Sequence, residues 1–339
     1  MKRKLTIVKA VREILSSEMQ RDKRILLIGE DIAIPGGSGG PFGVTQGFEE
    51  MFGSERVINT PISEIAIVGA AVGAAMMGMR PVAEVQYGDF IFCAMDQVVN
   101  QAAKMHYMSG GQVSVPMVII VPTGATTRGA QHAQSPESFL IHIPGIKVVA
   151  PSNAYDAKGL FKTALDDDNP VVFLEHKRLM GSSGIRKEVG GIDATSNIPE
   201  KTYSVPLGKG KIVRKGKDVT IIGKLLMVHR ALQAAEELAK EGIECEIIDP
   251  RSLVPFDLDL LLSSLKKTGR LVIVDECNFT GGWAGEIAAL AAEHAMDFLD
   301  APVQRVTAPD TPVPFAPVLE NEYIPQVDKI IESVKSIVA

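Results

Sequence analysis

The stretch VINTPISEIAIVGAAVGAAMMGMRPVAEV, residues 57–85, indicates the fold of this chain. Two short apolar strands, predicted at Val57–Asn59 and Val82–Val85, enclose a helix predicted at Ile65–Met79. The strands do not alternate apolar with polar residues, which is typical of parallel strands covered by helices on both faces of a sheet. The helix is too short to span a bilayer, which takes about 20 residues. This unit therefore predicts an α/β protein built on a parallel sheet.

The same alternation of strand and helix continues along the chain. In the first half it predicts strands at Ile25–Ile28, Val118–Val121, Lys147–Val149 and Val171–Leu174, and helices at Met95–Met108 and Tyr155–Asp167. In the second half it predicts strands at Val219–Ile222, Cys245–Ile248, Leu271–Val274 and Val303–Val306, and helices at His229–Glu241, Asp257–Lys267, Gly285–Met296 and Ile324–Val338. The Gly-, Ser- and Pro-rich residues 181–210 show no sustained period. We therefore predict two parallel-sheet domains, 1–180 and 211–339, joined by a linker, 181–210, that holds a turn or an edge strand.

Composition narrows the class of protein. The chain has 339 residues, of which 46% are hydrophobic, and a net charge of −6. It has enough apolar residues for two cores, and its acidic balance argues against nucleic acid or an anionic membrane as partner. Three widely spaced cysteines, Cys93, Cys245 and Cys277, lack metal-ligand spacing and predict buried, reduced thiols in a cytoplasmic protein. The basic N-terminus predicts a surface helix rather than a signal peptide.

Glu64 stands at an informative junction, in the segment TPISE of residues 60–64. Ser63 is a predicted helix cap, which puts Glu64 in the first turn of the following helix. A carboxylate there complements the helix dipole, and that alone would explain its presence. The glycines and alanines that follow would let another backbone approach closely, either in a tight helix pair or at a contact between subunits.

Two further segments follow predicted strands, where ligands collect in parallel sheets. EVQYGDF, residues 84–90, offers the amide of Gln86 and the aromatic face of Phe90, although Phe90 could equally be a core residue. GAQHAQS, residues 129–135, places His132 in a loop next to Arg128, where it could contact an anionic substrate or be structural. The cluster PGGSGGPFG, residues 35–43, lacks the Lys-Ser/Thr of a phosphate loop and is predicted to be a mobile loop. The residues alone leave the function open.

Longer blocks add a family resemblance. TPISE, GAAVGAAMMGMRPVAE, DFIFCAMDQVVNQAAKMHYMSGG, GAQHAQS, PGIKVVAPSNAYDAKGL and DNPVVFLEHK occur in order, followed by DPRSLVPFD, TGG and RVTAPDTPVPFAP. Together they resemble the beta subunit of the decarboxylating component of 2-oxo acid dehydrogenase complexes, a transketolase-like family. The resemblance covers nearly the whole chain. It implies a pyrimidine-binding domain and a C-terminal transketolase-like domain.

The resemblance also implies a shared active site. The cofactor would be thiamine diphosphate, with its diphosphate held through Mg²⁺ by a separate alpha subunit. The alpha subunit's Gly-Asp-Gly…Asn signature is missing here, since Tyr87–Phe90 does not supply it. Two alpha and two beta chains would assemble, with beta–beta contacts, and would pass an acyl group to lipoamide on a dihydrolipoyl acyltransferase core.

The resemblance leaves the substrate open. Acetoin or pyruvate is favoured, with branched-chain 2-oxo acids as a further choice. Two other functions stay open: a transketolase-like half enzyme acting on a ketol or sugar, and a non-catalytic scaffold for an alpha chain.

Individual roles follow from the resemblance. Glu64 would hydrogen-bond a ring nitrogen of the aminopyrimidine and favour its imino form. Ile62, Gln86 and Phe90 would line that ring, Phe90 by stacking. His132 would face the substrate and the incoming lipoyl group. A potassium ion, held in some members, would bind backbone carbonyls of Met117, Ala164, Leu165, Asp167 and Asn169.

Overall fold

The computed structural model describes residues 3–34, 39–181 and 190–338. Its strands are β1 (Arg3–Leu5), β2 (Ile25–Glu30), β3 (Val57–Thr60), β4 (Arg80–Glu84), β5 (Val118–Thr123), β6 (Lys147–Val149), β7 (Val171–His176), β8 (Ser196–Ile198), β9 (Lys211–Arg214), β10 (Val219–Gly223), β11 (Cys245–Asp249), β12 (Ser252–Val254), β13 (Leu271–Asn278) and β14 (Gln304–Ala308). Its α-helices are α1 (Ile7–Arg21), α2 (Phe48–Phe52), α3 (Glu64–Met76), α4 (Met105–Met108), α5 (Glu137–Ile141), α6 (Ala154–Asp166), α7 (Leu226–Ala239), α8 (Leu258–Thr268), α9 (Trp283–Ala295), α10 (Pro317–Tyr323) and α11 (Val327–Val338).

The first half of the chain supplies six of the seven strands of a sheet whose order is β12-β6-β7-β5-β4-β2-β3, and β12 comes from the second half. The strands from β2 to β7 pair in parallel, as their unbroken apolar character predicts. The segment of residues 57–85 forms β3, α3 and β4, and β2 lies between the two strands. The carboxyl ends of β2, β3, β4 and β5 consequently meet at one edge of the sheet, where the site residues lie.

The second half forms a five-stranded sheet in the order β14-β13-β10-β11-β9, parallel except for β9. One strand from this half departs from the sequence prediction. β12 leaves the second domain and pairs antiparallel with β6 of the first sheet. Ala150 N–H also donates to the carbonyl of Arg251 at 2.8 Å. The two halves are therefore joined by backbone hydrogen bonds as well as by side chains.

The predicted linker contains an edge strand. β8 pairs antiparallel with β1, and Val205 N–H donates to Gly159 O of α6 at 3.1 Å. The described part of this segment thus packs on the first domain. Residues 182–189 of the linker, and residues 35–38 of the predicted glycine-rich loop, lie outside the described residues.

Two local predictions need adjustment. The chain is helical over most of the predicted range Met95–Met108, but as a π-helical turn at Gln97–Ala102 followed by the short α4, and a 3-10 helix precedes it at Gly88–Ala94. Apolar spacing does not distinguish these hydrogen-bond patterns, because each of them can bury one face. The helix predicted from Ile324 begins at Val327, after Pro325, which lacks the N–H that a helix interior needs.

Two further expectations need correction. Cys93 is exposed, whereas Cys245 and Cys277 are buried as predicted. Ser63 occupies the cap position of α3, but its hydroxyl forms no capping hydrogen bond with the described chain. The N-terminal helix α1 buries one face, which includes Ile7, Val11 and Ile14. Within the described ranges, no helix is long and apolar enough to cross a membrane.

Candidate active site

Carboxyl and amide side chains gather where β2, β3 and β4 end. Glu30 closes β2 and Asp31 follows it, Glu64 opens α3 just after β3, and Gln86 lies two residues beyond β4. Gln86 Nε2 donates to Asp31 Oδ2 at 3.3 Å. Ligands of parallel α/β sheets bind at this edge. The position of Glu64 therefore matches that of a ligand-binding residue as well as that of a helix-terminal charge.

The charges at this edge affect one another. Burial raises the pKa of the Glu30 carboxyl, and the nearby charges of Asp31 and Glu64 raise it further. Glu64 is thus close enough to Glu30 for the two carboxylates to repel each other. A donor or cationic ligand atom between them would relieve that repulsion.

The surface beside Glu64 is apolar and uncovered by the described chain. The side chain of Ile62 is 75% exposed and that of Met77 is 86% exposed. Between them α3 exposes Ala66, Ala70 and Gly73, while its opposite face is buried. Because this small-residue face packs against nothing in the described chain, a contact between subunits explains it better than a helix pair inside one chain.

An aromatic cluster connects two of the predicted site residues. Tyr87, Phe90 and His132 meet edge to face, with centroids 5.6 Å apart for Tyr87–Phe90, 5.2 Å for Tyr87–His132 and 5.3 Å for Phe90–His132. Lys177 Nζ lies 5.0 Å and Arg128 Cζ 5.8 Å from the Tyr87 ring centroid. Cation–π contacts of this kind help to orient the ring. Two cationic side chains thus lie against the ring that contacts His132.

The segment after His132 is tied to the turn that carries Phe90. The backbone N–H and the side-chain Nε2 of Gln134 both donate to Asp89 Oδ1, at 3.1 and 2.9 Å. Lys177 Nζ donates to the carbonyl of His132. The helix α3, which begins with Glu64, packs on the same turn. Glu64, Gln86, Phe90 and His132 thus share one region, with Ile62 at its exposed rim.

Two carboxyl groups are buried beneath this region. Glu84 ends β4, and burial raises its pKa to about 8. Burial, and then the charge of Glu84, raises the pKa of Glu175 on β7 well above its usual range. Glu84 Oε2 and Glu175 Oε1 have no hydrogen-bond partner among the described residues. Burial thus favours the protonated form of both carboxyl groups.

The loop predicted to bind potassium already contacts two cationic side chains. Arg80 donates from Nε to Leu165 O at 2.8 Å and also donates to Asp167 O, while Lys147 binds the Asp167 carboxylate. Burial opposes ionisation of Asp167, but Lys147 and Asn169 outweigh it and lower the pKa. A potassium ion would have to share these carbonyls with Arg80. The described residues contain no group of three or more His, Cys, Asp or Glu side chains suited to a metal.

A large cleft is lined by residues of both halves. Its volume is about 1450 Å³, and its walls include Gln134, Ser135, Phe139, Cys277 and Trp283. Glu64, Gln86, Phe90 and His132 do not line it. The cleft therefore reaches the segment that flanks His132, through Gln134 and Ser135, but not these four side chains.

Sequence reasoning missed several residues of this site. Glu30 and Asp31 could have been found, because they directly follow the apolar strand ILLI. Tyr87 lies in EVQYGDF and Lys177 in DNPVVFLEHK, but neither residue was predicted to be part of the site. Glu276 and Glu320 accept the backbone N–H groups of Ala125 and Thr127 in the loop before His132, but they are distant in sequence and gave no signal.

Comparison with known families agrees with this architecture. A family model described as "Transketolase, pyrimidine binding domain" matches residues 3–182, and one described as "Transketolase, C-terminal domain" matches residues 208–330. A solved structure titled "Split gene transketolase, inactive beta4 tetramer" superposes with a TM-score of 0.75 and 23% identity, covering 98% of each chain. The fold is thus of the transketolase type, as predicted.

Curated relatives are similar over their full length. The acetoin:2,6-dichlorophenolindophenol oxidoreductase subunit beta of Bacillus subtilis is 46% identical, covering 98% of this chain and 96% of the relative. The pyruvate dehydrogenase E1 component subunit beta of Rickettsia felis is 43% identical, covering 98% of each. The 2-oxoisovalerate dehydrogenase subunit beta of B. subtilis is 41% identical, covering 96% of each. The chain belongs to the family of beta subunits of thiamine-diphosphate-dependent 2-oxo acid and acetoin dehydrogenases, which confirms the resemblance drawn from sequence.

Proposed function

We propose that this chain supplies the pyrimidine-binding half of an active site that cleaves a C–C bond next to a carbonyl group. An alpha subunit would supply the other half. The observation that carries the proposal is the position of Glu64, beside Glu30 at the ligand-binding edge of the sheet and next to an uncovered apolar surface. When bound, thiamine diphosphate supplies the nucleophilic carbon that adds to the substrate carbonyl.

Glu64 would act on the aminopyrimidine ring. Its carboxylate would accept a hydrogen bond at a ring nitrogen and hold the proton that favours the imino form. The fit rests on the donor set: carboxylates beside each other favour a ligand that donates or carries positive charge. If Glu64 only complemented the helix dipole, any acidic residue could take its place. Neither Glu30 nor Gln86 would then be needed nearby.

The neighbouring residues would bind and orient the ring. Ile62 would cover one face, and Phe90 would stack on the ring from the turn after β4. Gln86 is held by Asp31 at 3.3 Å, which fixes its amide for a contact at the ring edge. The exposed side chain of Ile62 supports this proposal, because it is free to meet a ligand or partner.

His132 would serve the substrate side. It contacts Phe90 and lies near the cations that flank Tyr87, so its imidazole is placed to steady a carboxylate or a developing oxyanion. It could also pass a proton while the acyl group moves to the lipoyl group. Its half-buried position leaves room for a substrate to reach it.

The proposed partners follow from the family to which the chain belongs. The alpha subunit would hold the diphosphate through Mg²⁺ and cover the exposed face of α3. Two alpha and two beta chains would assemble with beta–beta contacts and dock on a dihydrolipoyl acyltransferase core with its lipoyl domain. A structural K⁺ at the loop containing Asp167 is part of the same proposal. Acetoin or pyruvate is the proposed substrate, since the acetoin and pyruvate relatives named above share more identity with the chain than the 2-oxoisovalerate relative.

A substrate panel on the assembled complex tests this function. The chain is co-expressed with an alpha subunit of the same family, and dye reduction is measured with acetoin, pyruvate, branched-chain 2-oxo acids and a sugar ketol. We expect turnover with acetoin or pyruvate, and transfer to lipoamide when an acyltransferase lipoyl domain is added. Turnover of a sugar ketol without lipoamide would instead indicate a transketolase-like half enzyme. Absence of thiamine diphosphate binding would indicate a scaffold.

A further inference from the structure

Two carboxylates from the second half of the chain hold the loop that leads to His132. Glu276 Oε1 accepts the backbone N–H of Ala125 at 2.7 Å, and Glu320 Oε2 accepts the backbone N–H of Thr127 at 2.5 Å. Glu276 lies on β13 and Glu320 on α10, both within the C-terminal transketolase-like domain. The loop itself belongs to the pyrimidine-binding domain. Its backbone is therefore fixed from outside its own domain.

The second oxygen of each carboxylate is also engaged. Glu276 Oε2 lies 2.8 Å from His176 Nε2, and Glu320 Oε1 accepts from Arg178 at 2.5 Å. Arg178 Nε donates to the carbonyl of Ala125 at 2.7 Å. All four side chains are buried, with at most 5% exposure. Ionised hydrogen bonds in such a dry setting are strong and directional, so the loop backbone has little freedom.

The loop conformation depends on this support. Thr127 has a φ of +59°, in the left-handed region that a residue with a branched side chain adopts at a cost. Gly124 lies against the His176 ring, where an added Cβ would come within 2.2 Å of Nε2. Gly129 lies under Phe315 of the C-terminal domain, with 3.1 Å between an added Cβ and the ring. The loop is consequently clamped between the two domains.

The loop that these contacts hold leads directly to His132. His132 N–H donates to Gly129 O at 3.3 Å, and Gly124 N–H donates to Gln134 O at 3.2 Å, which closes the loop at its base. A shift of Ala125 or Thr127 would therefore move the backbone that carries the imidazole. Errors of about 1 Å in the position of a reacting group can cost about 100-fold in rate.

We propose that Glu320 and Glu276 are positioning residues that set the place of His132 for the reaction, so that the C-terminal domain takes part in catalysis as well as in assembly. This rests on the role proposed for His132. Neither carboxylate touches the site residues; each acts through the loop backbone. Glu320 is the better test, because its Gln variant keeps an acceptor for Thr127 but places an amide N–H₂ against the Arg178 guanidinium.

The experiment uses the complex assembled with the alpha subunit and compares Glu320→Gln, Glu320→Ala and His132→Ala. Glu322→Gln, an exposed change on the same helix, is the matched control. Glu276→Gln provides an independent variant if Glu320→Gln does not fold. Hydrogen exchange of the peptide covering residues 124–134 reports the loop. Dye reduction and transfer to the lipoyl domain report the chemistry.

We expect faster exchange in residues 124–134 for Glu320→Ala and a fall in kcat of about tenfold or more, with little change in the KM for thiamine diphosphate. In the His132→Ala background, Glu320→Gln should cause no further loss, because both changes act through one group. Unchanged exchange, or losses that add in the double variant, would overturn the positioning role. Full activity of His132→Ala would instead refute the role proposed for His132, and with it the catalytic part of this inference. Hydrogen exchange of residues 124–134 would still decide whether Glu320 holds the loop.

Discussion

The phenyl ring of Phe90 meets the imidazole of His132 edge to face, with the centroids 5.3 Å apart. Phe90 follows β4 and His132 follows β5, so this contact joins the carboxyl ends of two neighbouring strands. In the proposed function Phe90 serves the cofactor ring and His132 serves the substrate. A single aromatic contact would therefore keep the two parts of the site in register.

Shortening Phe90 tests that coupling. Phe90→Leu removes an edge contact worth about 0.5–1.5 kcal/mol and the stacking surface for the ring. We expect the Kd for thiamine diphosphate to rise about two- to tenfold and kcat to fall as well. Calorimetric titration of the assembled complex measures the first effect, and dye reduction the second. Phe139→Leu, an exposed ring that meets Phe92, is the control. An unchanged Kd for Phe90→Leu would refute the stacking role.

The buried carboxyl of Glu84 predicts a pH dependence of stability. Its pKa in the folded chain is about 8, above its usual value of 4.5, because burial disfavours the charged form. The folded state thus keeps a proton that the unfolded state loses. The free energy of unfolding should fall as pH rises from about 4.5 towards about 8. Glu84→Gln should flatten this dependence and raise the melting temperature at pH 8, as measured by calorimetry. A wild-type melting temperature that does not fall over this range would contradict the assignment.

Glu276 predicts the opposite dependence on the acid side. Burial would raise its pKa, but the interaction with His176, the Ala125 N–H and the charge of Arg178 outweigh burial and lower the pKa to about 2. Its stabilising contribution is therefore present above about 4.5 and is lost as pH falls towards about 2. In Glu276→Gln, the free energy of unfolding should fall less between pH 6 and pH 3.5 than it does in the wild type. Denaturant titrations at pH 3.5 and pH 6 check this, and an unaltered difference between them would argue against it.

The potassium proposal is tested by salt exchange. A bound ion stabilises the folded state in proportion to the logarithm of its concentration. We expect the melting temperature to be higher in potassium chloride than in sodium chloride at equal ionic strength. Equal melting temperatures would refute a selective potassium site. Arg80 would then be the hydrogen-bond donor to the carbonyls of Leu165 and Asp167. Lys147 would be the partner of the Asp167 carboxylate.

Much of the fold could be predicted because strands buried on both faces read as unbroken apolar runs. The candidate site residues Gln86 and Phe90 were proposed for the same reason, because they follow such a strand. β12 could not, since nothing in Ser252–Val254 distinguishes a strand that joins its own sheet from one that crosses to another. Glu276 and Glu320 escaped notice because their role depends on a contact between domains, which leaves no local period. Cys93 was misjudged because thiol burial depends on packing rather than on residue type.

The proposed role of Glu64 is tested most directly by the turnover of Glu64→Gln in the complex with the alpha subunit. The amide keeps the size of the side chain but cannot hold the proton at the ring nitrogen. We predict that dye reduction with the active substrate falls by about 100-fold or more, with thiamine diphosphate still bound and the melting temperature little changed. Glu55→Gln, an exposed change in the same domain, should retain full turnover. Undiminished turnover of Glu64→Gln would show that Glu64 is only a helix-terminal charge, and it would contradict the account at its centre.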